Sequence, residues 1–420
     1  VYVGQDGDAH RYREYVDRGR LRLPIALVAA VVVAEAAVLL LRPRDGVIDP
    51  APVSARSYFS HAQIDRARDY RRPQLALYGA ALLIEGGVLV WLVVRPPRAL
   101  RREWRRPVLA GAAAAAALSV TLTVATLPVS ALSRQRSVDY GLTTQSWAGW
   151  AGDVGKSVGI GAVLAGLGGM ALLGLQRRFP RHWWAPGSVA VVAIGAAFAY
   201  AGPVVLDPVF NRFKALPPGQ ARSDVLDLAR RAGVKVGQVY EVDASRRTTA
   251  ANAYVTGLGS TKRVVLYDTL LENFPRDEVR LVVAHELSHV HHRDVPNGIL
   301  YLALVAPLGV LAIQRLTERL APGRSGTAAG LPATVLSLAL VAGTIGAVSN
   351  QLSRRIEARA DSFALHLTNQ PKPFIGFEKR IAVRNLSDPD PPRWQVALLS
   401  THPPTIERIG IGVAFERGAR

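Results

Sequence analysis

The residues best spaced for chemistry are His285-Glu286-Leu287-Ser288-His289. On an α-helix, positions i and i+4 lie on one face about one turn apart. Two imidazoles placed so close on a single Zn²⁺, and the intervening Glu286 reaches a metal-bound water as general base. The pattern is that of zinc-dependent peptide hydrolysis. A chain of 420 residues with 9 His carries it by chance with odds on the order of one in a hundred. A hydrolytic zinc takes three protein ligands and keeps one position open. The chain contains no cysteine, so the third ligand is not a thiolate. Nor is it a third histidine on the same segment. The positions three and six beyond His289, where that arrangement needs Gly and His, hold His292 and Val295. A downstream carboxylate remains.

The elements that must position these groups are mostly apolar. Hydrophobic residues make up 49% of the chain and charged residues 20%, and the mean hydropathy is +0.16. Apolar runs cover 23–41, 75–94, 107–132, 154–175, 186–206, 298–313 and 331–348. Each is long enough, or nearly so, for a hydrocarbon core of about 30 Å, which predicts seven spans. The first run is not read as a cleavable signal, because no small-residue cleavage site follows it and further spans do. Glu35 and Glu85 interrupt the first two runs. They either line a watery chamber or sit hydrogen-bonded and neutral within the bundle.

Two stretches are not membrane-like. Residues 207–296 read as a soluble insert with a helix near 221–232 and strands at 238–242, 253–256 and 263–267. The motif helix follows, with Pro275 near its start, Asp277 and Glu278 in its first turn, and Asp294-Val295-Pro296 ending it. The expected organisation is a polar arm at 1–22, spans one to five in 23–206, a catalytic insert at 207–296, spans six and seven in 297–348, and a carboxy-terminal segment at 349–420. The fold class is mainly α: a polytopic membrane bundle with a zincin-like insert carrying a small β-sheet.

Topology narrows the search for the third ligand. The run at 298–313 carries the chain across the membrane, so Glu318 lies on the far side from His285. The run at 331–348 brings it back, and the first carboxylate after that return is Glu357. Asp361 follows four residues later on the same helical face, where a carboxylate can accept a proton from the outer nitrogen of a ligating His. Glu378 and Glu407 also lie on the correct side. His291 and His292 read as polar residues at the helix end, and His366 as an outer-surface residue. His402 has no role that spacing reveals.

The net charge is +19, but it does not imply nucleic acid. The cations are nearly all Arg in a chain rich in Ala, Gly, Val and Leu, a bias that a GC-rich genome produces. No basic stripe is interleaved with aromatics. Many arginines flank apolar runs, where lipid headgroups would meet them. The segments 42–72 and 95–106 are both Arg-rich and lie on opposite sides, so charge alone does not orient the chain.

Several motifs standing in order resemble the CAAX prenyl protease type 1 family, integral-membrane zinc endopeptidases, and more distantly the bacterial heat-shock membrane proteases of the same clan. They are Asn252-Ala-Tyr-Val-Thr-Gly257 with Lys262-Arg-Val-Val-Leu-Tyr-Asp-Thr-Leu-Leu271, Val283-Ala-His-Glu-Leu-Ser-His289, Glu357-Ala-Arg-Ala-Asp361 and Thr401-His-Pro-Pro-Thr-Ile-Glu-Arg408. Tyr140-Gly-Leu-Thr-Thr-Gln145 and Asp207-Pro-Val-Phe-Asn-Arg-Phe213 match more weakly. The resemblance implies one zinc on His285, His289 and Glu357, Glu286 as base, support from Asp361, and substrate or transition-state contacts from Asn252 and His402. It also implies seven helices around a large water-filled chamber, with the zinc end in the cytoplasm of, on composition, a bacterium. The implied partners are the bilayer and a peptide or protein substrate, lipidated or membrane-associated. Membrane-protein quality control without prenyl recognition, and a silent scaffold or transporter, are the alternative functions.

Overall fold

The computed structural model describes residues 6–419, without the side chains of 6–22 and of Ser260. Of the polar arm expected at 1–22, residues 1–5 lie outside the described residues; from Asp6 onward the backbone is helical and runs into the first span.

A bilayer core offers backbone groups no water, so apolar runs must close their hydrogen bonds internally as helices. Seven helices are long and apolar enough to cross: α1 (Asp6–Leu41), α2 (His61–Val94), α4 (Pro107–Asp139), α5 (Trp147–Arg178), α6 (Trp184–Val205), α11 (Asp294–Leu320) and α12 (Leu331–Thr368). A single turn, α3 (Arg98–Arg101), joins α2 to α4, and another, α7 (Asp207–Phe210), follows α6. Several of these helices outrun their apolar stretches. α2 begins at His61 rather than 75, and α12 continues to Thr368 rather than 348. Hydropathy reports membrane depth, whereas a helix propagates until a cap or breaker stops it. The extension of α12 carries Glu357 and Asp361 to the soluble part.

α4 and α5 pack closely because small residues face each other. A Cβ on Gly169 would lie 2.4 Å from Ala115 Cβ and 2.8 Å from the Gly111 carbonyl oxygen, so only glycine permits this approach. Glu35 accepts a hydrogen bond from Gln351 Nε2 of α12 at 3.1 Å, and Glu85 is half-buried in α2. Between α4, α5, α6, α11 and α12 the bundle encloses a cavity of about 520 Å³. Ser119 and Thr334 are the polar side chains on a lining otherwise of carbon and one indole. The lining of this cavity is therefore apolar, because the helices facing it carry no charge there.

The soluble part contains β1 (Phe213–Ala215), α8 (Gln220–Arg231), β2 (Gln238–Val242), β3 (Ala253–Thr256), β4 (Arg263–Tyr267), α9 (Asp268–Asn273) and α10 (Arg276–His291). Three strands lie where the sequence predicts them. β1 is additional, too short to show an alternation. The sheet order is β1-β2-β4-β3, with β2 and β4 parallel and the other pairs antiparallel, so β3 is an edge. Val239, Val264 and Leu266 pack with Leu228, Val283 and Leu287 of the covering helices. The opposite face carries Phe213, Tyr240, Tyr254 and Tyr267, as strand alternation requires. Asp224 of α8 holds Arg276 and Arg280 of α10, each at 2.7 Å. The hydrogen bond from Arg276 leads the influences that bring its carboxyl down to about 2. That contribution to stability is present above the ordinary carboxylate range near 4 and is lost as pH falls toward 2.

Asp294-Val295-Pro296 does not terminate α10. That helix ends at His291, Arg293 turns left-handed at φ 57°, and Asp294 opens α11, where Pro296 fits the first turn because its missing N–H is not needed there. The chain closes with α13 (Pro371–Arg384), α14 (Arg393–Leu399) and α15 (Thr405–Glu416). Leu281 and Ala284 of α10 pack with Leu365 of α12, Phe374 of α13 and Ile411 of α15. α10 is thus clamped between the sheet on one side and three helices on the other. Arg247 strengthens the join to the bundle by spanning the Asp153 carboxylate of α5 from Nε at 3.0 Å and Nη2 at 3.2 Å.

Candidate metal centre and active site

With its apolar faces used against sheet and helices, α10 turns His285, Glu286 and His289 toward α12. The i, i+4 spacing brings the two rings to 5.1 Å between centroids. Glu357 meets both. Its Oε2 lies 3.1 Å from His285 Nε2 and its Oε1 3.7 Å from His289 Nε2. One ligand atom from each of the three residues lies within 4.8 Å of the others. Glu378, a candidate by topology, instead lies 3.0 Å from Arg408 Nη1. Glu318 is engaged by Gln314 and Arg315.

The outer nitrogens fix the rings. His285 Nδ1 donates to Asp361 Oδ1 at 2.9 Å, and His289 Nδ1 donates to Asp294 Oδ2 at 2.9 Å. Both acceptors are carboxylates, so each Nδ1 carries a proton and Nε2 is the atom each ring can offer to a metal. The supports are themselves held. Arg408 grips Asp361 from Nε at 2.8 Å and Nη2 at 2.5 Å, and Arg359 Nη2 donates to Asp294 at 2.5 Å.

The donor set fits a divalent metal of borderline hardness. Two imidazole Nε2 atoms and one carboxylate face inward, and each imidazole is oriented by an outer carboxylate. Burial opposes charge on His285, but the Asp361 and Glu357 carboxylates outweigh it and push the imidazole up to about 10. A metal must displace that proton, so affinity rises with pH.

Glu286 stands beside the centre without belonging to it. Its Oε2 accepts from the Val255 backbone N–H of β3 at 3.2 Å. Burial raises its carboxyl above the ordinary range, with His285 and His289 pulling the other way, which favours a stronger base. Asn252, Glu286 and His402 line one cleft together with Leu270, Leu281 and Phe377. Asn252 Oδ1 accepts from Ala253 N–H at 2.9 Å. His402 is 61% exposed at its side chain, and its Nδ1 lies 2.9 Å from Glu357 Oε2.

All seven residues singled out from the sequence therefore meet around one cleft. His291 bonds the Ala232 carbonyl, His292 turns back to Ser288, and His366 is exposed against Phe415. Sequence reasoning missed the roles of Asp294, Arg359 and Arg408, and carried Glu378 as a possible ligand rather than as the partner of Arg408. Asp294 offered a signal, a carboxylate just beyond the second His, but reads equally as a helix terminator. Arg359 and Arg408 stand within the matched Glu357–Asp361 and Thr401–Arg408 motifs, which do not show what either arginine holds. Glu378 has no local signature. Burial pushes the Glu378 carboxyl up to about 7 beside Arg408.

Replacing Asp294 by Asn removes the negative charge of the acceptor that fixes His289 and leaves a weaker amide oxygen in its place. Metal affinity should fall by roughly ten- to a hundredfold, measured by chelator competition on purified protein. Unchanged affinity would mean that Asp294 serves Arg359 alone.

Comparison with known proteins follows the same division of the chain. A model of peptidase family M48 matches residues 216–410. A model described as the CAAX prenyl protease N-terminal region, five membrane helices, matches residues 49–212. The uncharacterized metalloprotease YhfN of Bacillus subtilis is 32% identical over 301 residues, 70% of each chain. CAAX prenyl protease 1 of Saccharomyces cerevisiae is 32% identical over 158 residues, 37% of this chain and 34% of its own. The crystal structure of S. mikatae Ste24p superposes with a TM-score of 0.72 at 19% identity, covering 94% of this chain and 99% of that one. At that identity the likeness is one of fold.

Proposed function

Because the chain belongs to peptidase family M48, as a membrane-embedded metalloprotease, we propose that it cleaves peptide bonds with one zinc held by His285, His289 and Glu357. The observation that carries this reading is the convergence of two inward Nε2 atoms and a carboxylate, each imidazole held from behind by an Asp. Zinc bound there would supply a Lewis acid for the scissile carbonyl and a more acidic water.

The chain's own residues do the rest. Glu286 takes a proton from the attacking water and delivers it to the leaving amine. Tyr267 N–H donates to the Asn252 carbonyl across the β3–β4 pair at 3.1 Å. By alternation the backbone groups of Ala253 and Val255 face the outer edge, where their N–H groups donate to Asn252 Oδ1 and Glu286 Oε2 and their carbonyls remain to pair with substrate. A substrate strand adds along that edge, with the Asn252 amide aligning its backbone. His402 supports the developing oxyanion. Its Nδ1 is directed at Glu357, so Nε2 is the atom that serves the substrate.

The substrate is a peptide or protein that is membrane-associated, and the similarity to CAAX prenyl proteases points to a lipidated one. Mass spectrometry of peptides incubated with purified protein should show new termini that vanish with a zinc chelator and return with zinc. A prenylated peptide should be cut faster than its unprenylated twin. Equal rates would favour quality control of membrane proteins without prenyl recognition, and chelator-resistant cleavage would overturn the zinc reading.

We place the metal end in the cytoplasm of a bacterial membrane, on the family resemblance. The native chain has no cysteine, so one cysteine introduced at Asp277 reports the side. It should resist a membrane-impermeant maleimide on intact cells; labelling there would reverse the orientation.

A further inference from the structure

At the end of the bundle opposite the metal centre, the ends of α2, α5 and α11 converge with the starts of α4 and α12. The connection after α2 reads Arg95-Pro-Pro-Arg-Ala-Leu-Arg-Arg-Glu-Trp-Arg-Arg106. A cleft of about 600 Å³ opens here, lined by Arg101, Arg102, Arg105, Arg177 and Arg324 together with Trp104. Glu103 is the one carboxylate on its lining. None of the five arginines forms an ion pair among the described residues, and Arg324 spends one donor on the Val93 carbonyl at 3.0 Å. At the metal end, by contrast, Arg68 is paired with the Asp388 carboxylate. Five converging guanidiniums repel one another unless an anion sits among them, and their planar forks suit phosphate oxygens.

What lies deeper selects the kind of anion. The apolar cavity of about 520 Å³ begins between about half a turn and one and a half turns further along the same helices. On α4, Ala110 lines the cleft and Ala115 the cavity; on α5, Arg177 lines the cleft and Leu175 the cavity; at the start of α12, Ala329 and Leu331 divide in the same way. Trp104, 46% exposed, stands at the rim as an interfacial indole does. A charged head site above a carbon-lined tail site is the shape of an amphiphile.

We propose that this is a binding site for one anionic phospholipid, its phosphate held among the arginines and one acyl chain in the cavity. A soluble phosphate would use the head site and leave the cavity without purpose. The site is independent of proteolysis and of the metal, and faces whichever leaflet lies opposite the metal end.

Native mass spectrometry of the full chain in detergent tests this, after incubation with phosphatidylglycerol or with phosphatidylcholine of the same chains. Phosphatidylglycerol should be retained roughly tenfold or more over phosphatidylcholine. That excess should fall at least about tenfold in the triple variant R101Q/R105Q/R177Q. The matching triple Lys variant keeps the charge and should retain most of it, which separates charge from misfolding. Ala190→Phe, which fills the cavity, should weaken retention of the long-chain lipid. Equal retention of the two lipids would overturn the proposal. So would undiminished retention in the Gln variant, or displacement by inorganic phosphate with no effect of Ala190→Phe.

Discussion

Glu286→Gln should leave the metal content of the purified protein unchanged and lower peptide turnover by at least roughly a hundredfold. The amide is nearly isosteric with the carboxylate and can occupy the same place beside Val255. It cannot accept a proton from water and pass it to the departing amine. Because Glu286 is not among the three residues of the ligand triangle, binding should persist while chemistry stops. Metal analysis and turnover on one preparation separate the two effects. Turnover within a few-fold of the native rate would show that another group moves the proton, and the scheme would fall.

Loss of Glu357 should act differently, abolishing the metal and the activity together. Its carboxylate is the one group lying against both imidazoles and His402. Glu357→Ala leaves two nitrogens on one helix, a poor site for zinc compared with three ligands. It also removes the carboxylate that His285 and His402 now face, so the variant should be compared for folding by thermal unfolding in chelator. Stoichiometric metal should be absent after dialysis against nanomolar free zinc, on the order of 10⁻⁹ M. Glu378→Gln provides the contrast. Glu378 came from the same region of sequence, yet lies on Arg408, and its substitution should leave metal bound. Should Glu357→Ala retain zinc while Glu378→Gln loses it, the third ligand would have to be reassigned.

The legible features of this chain are those with a local period or a local composition. Seven spans follow from hydropathy because the bilayer demands about twenty apolar residues in a row. The two histidines follow from helical spacing. The strands at 238–242, 253–256 and 263–267 follow from branched and aromatic residues bounded by turns. Glu357 needed one further step, counting crossings to learn which carboxylates return to the side of His285, and the structure lays it against both rings.

Only the tertiary structure decided how buried charges are shared. His285 and Asp361 are 76 residues apart, and Arg359 and Asp294 are 65 apart. Asp294 reads in sequence as the end of α10, but its carboxylate reaches back to His289 because α11 starts immediately. Nothing in the spacing of Arg408 and Glu378 shows what they hold, yet one grips Asp361 and the other is sealed beside it. The physical reason is that spacing records what neighbours along the chain require. The cost of a buried charge is met by whichever partner the packing of α10, α12, α13 and α15 delivers. His285-Glu-Leu-Ser-His289 was therefore readable as a metal-binding pair with Asp361 behind it, while Asp294 behind the second ring and the guanidiniums that hold both carboxylates were not.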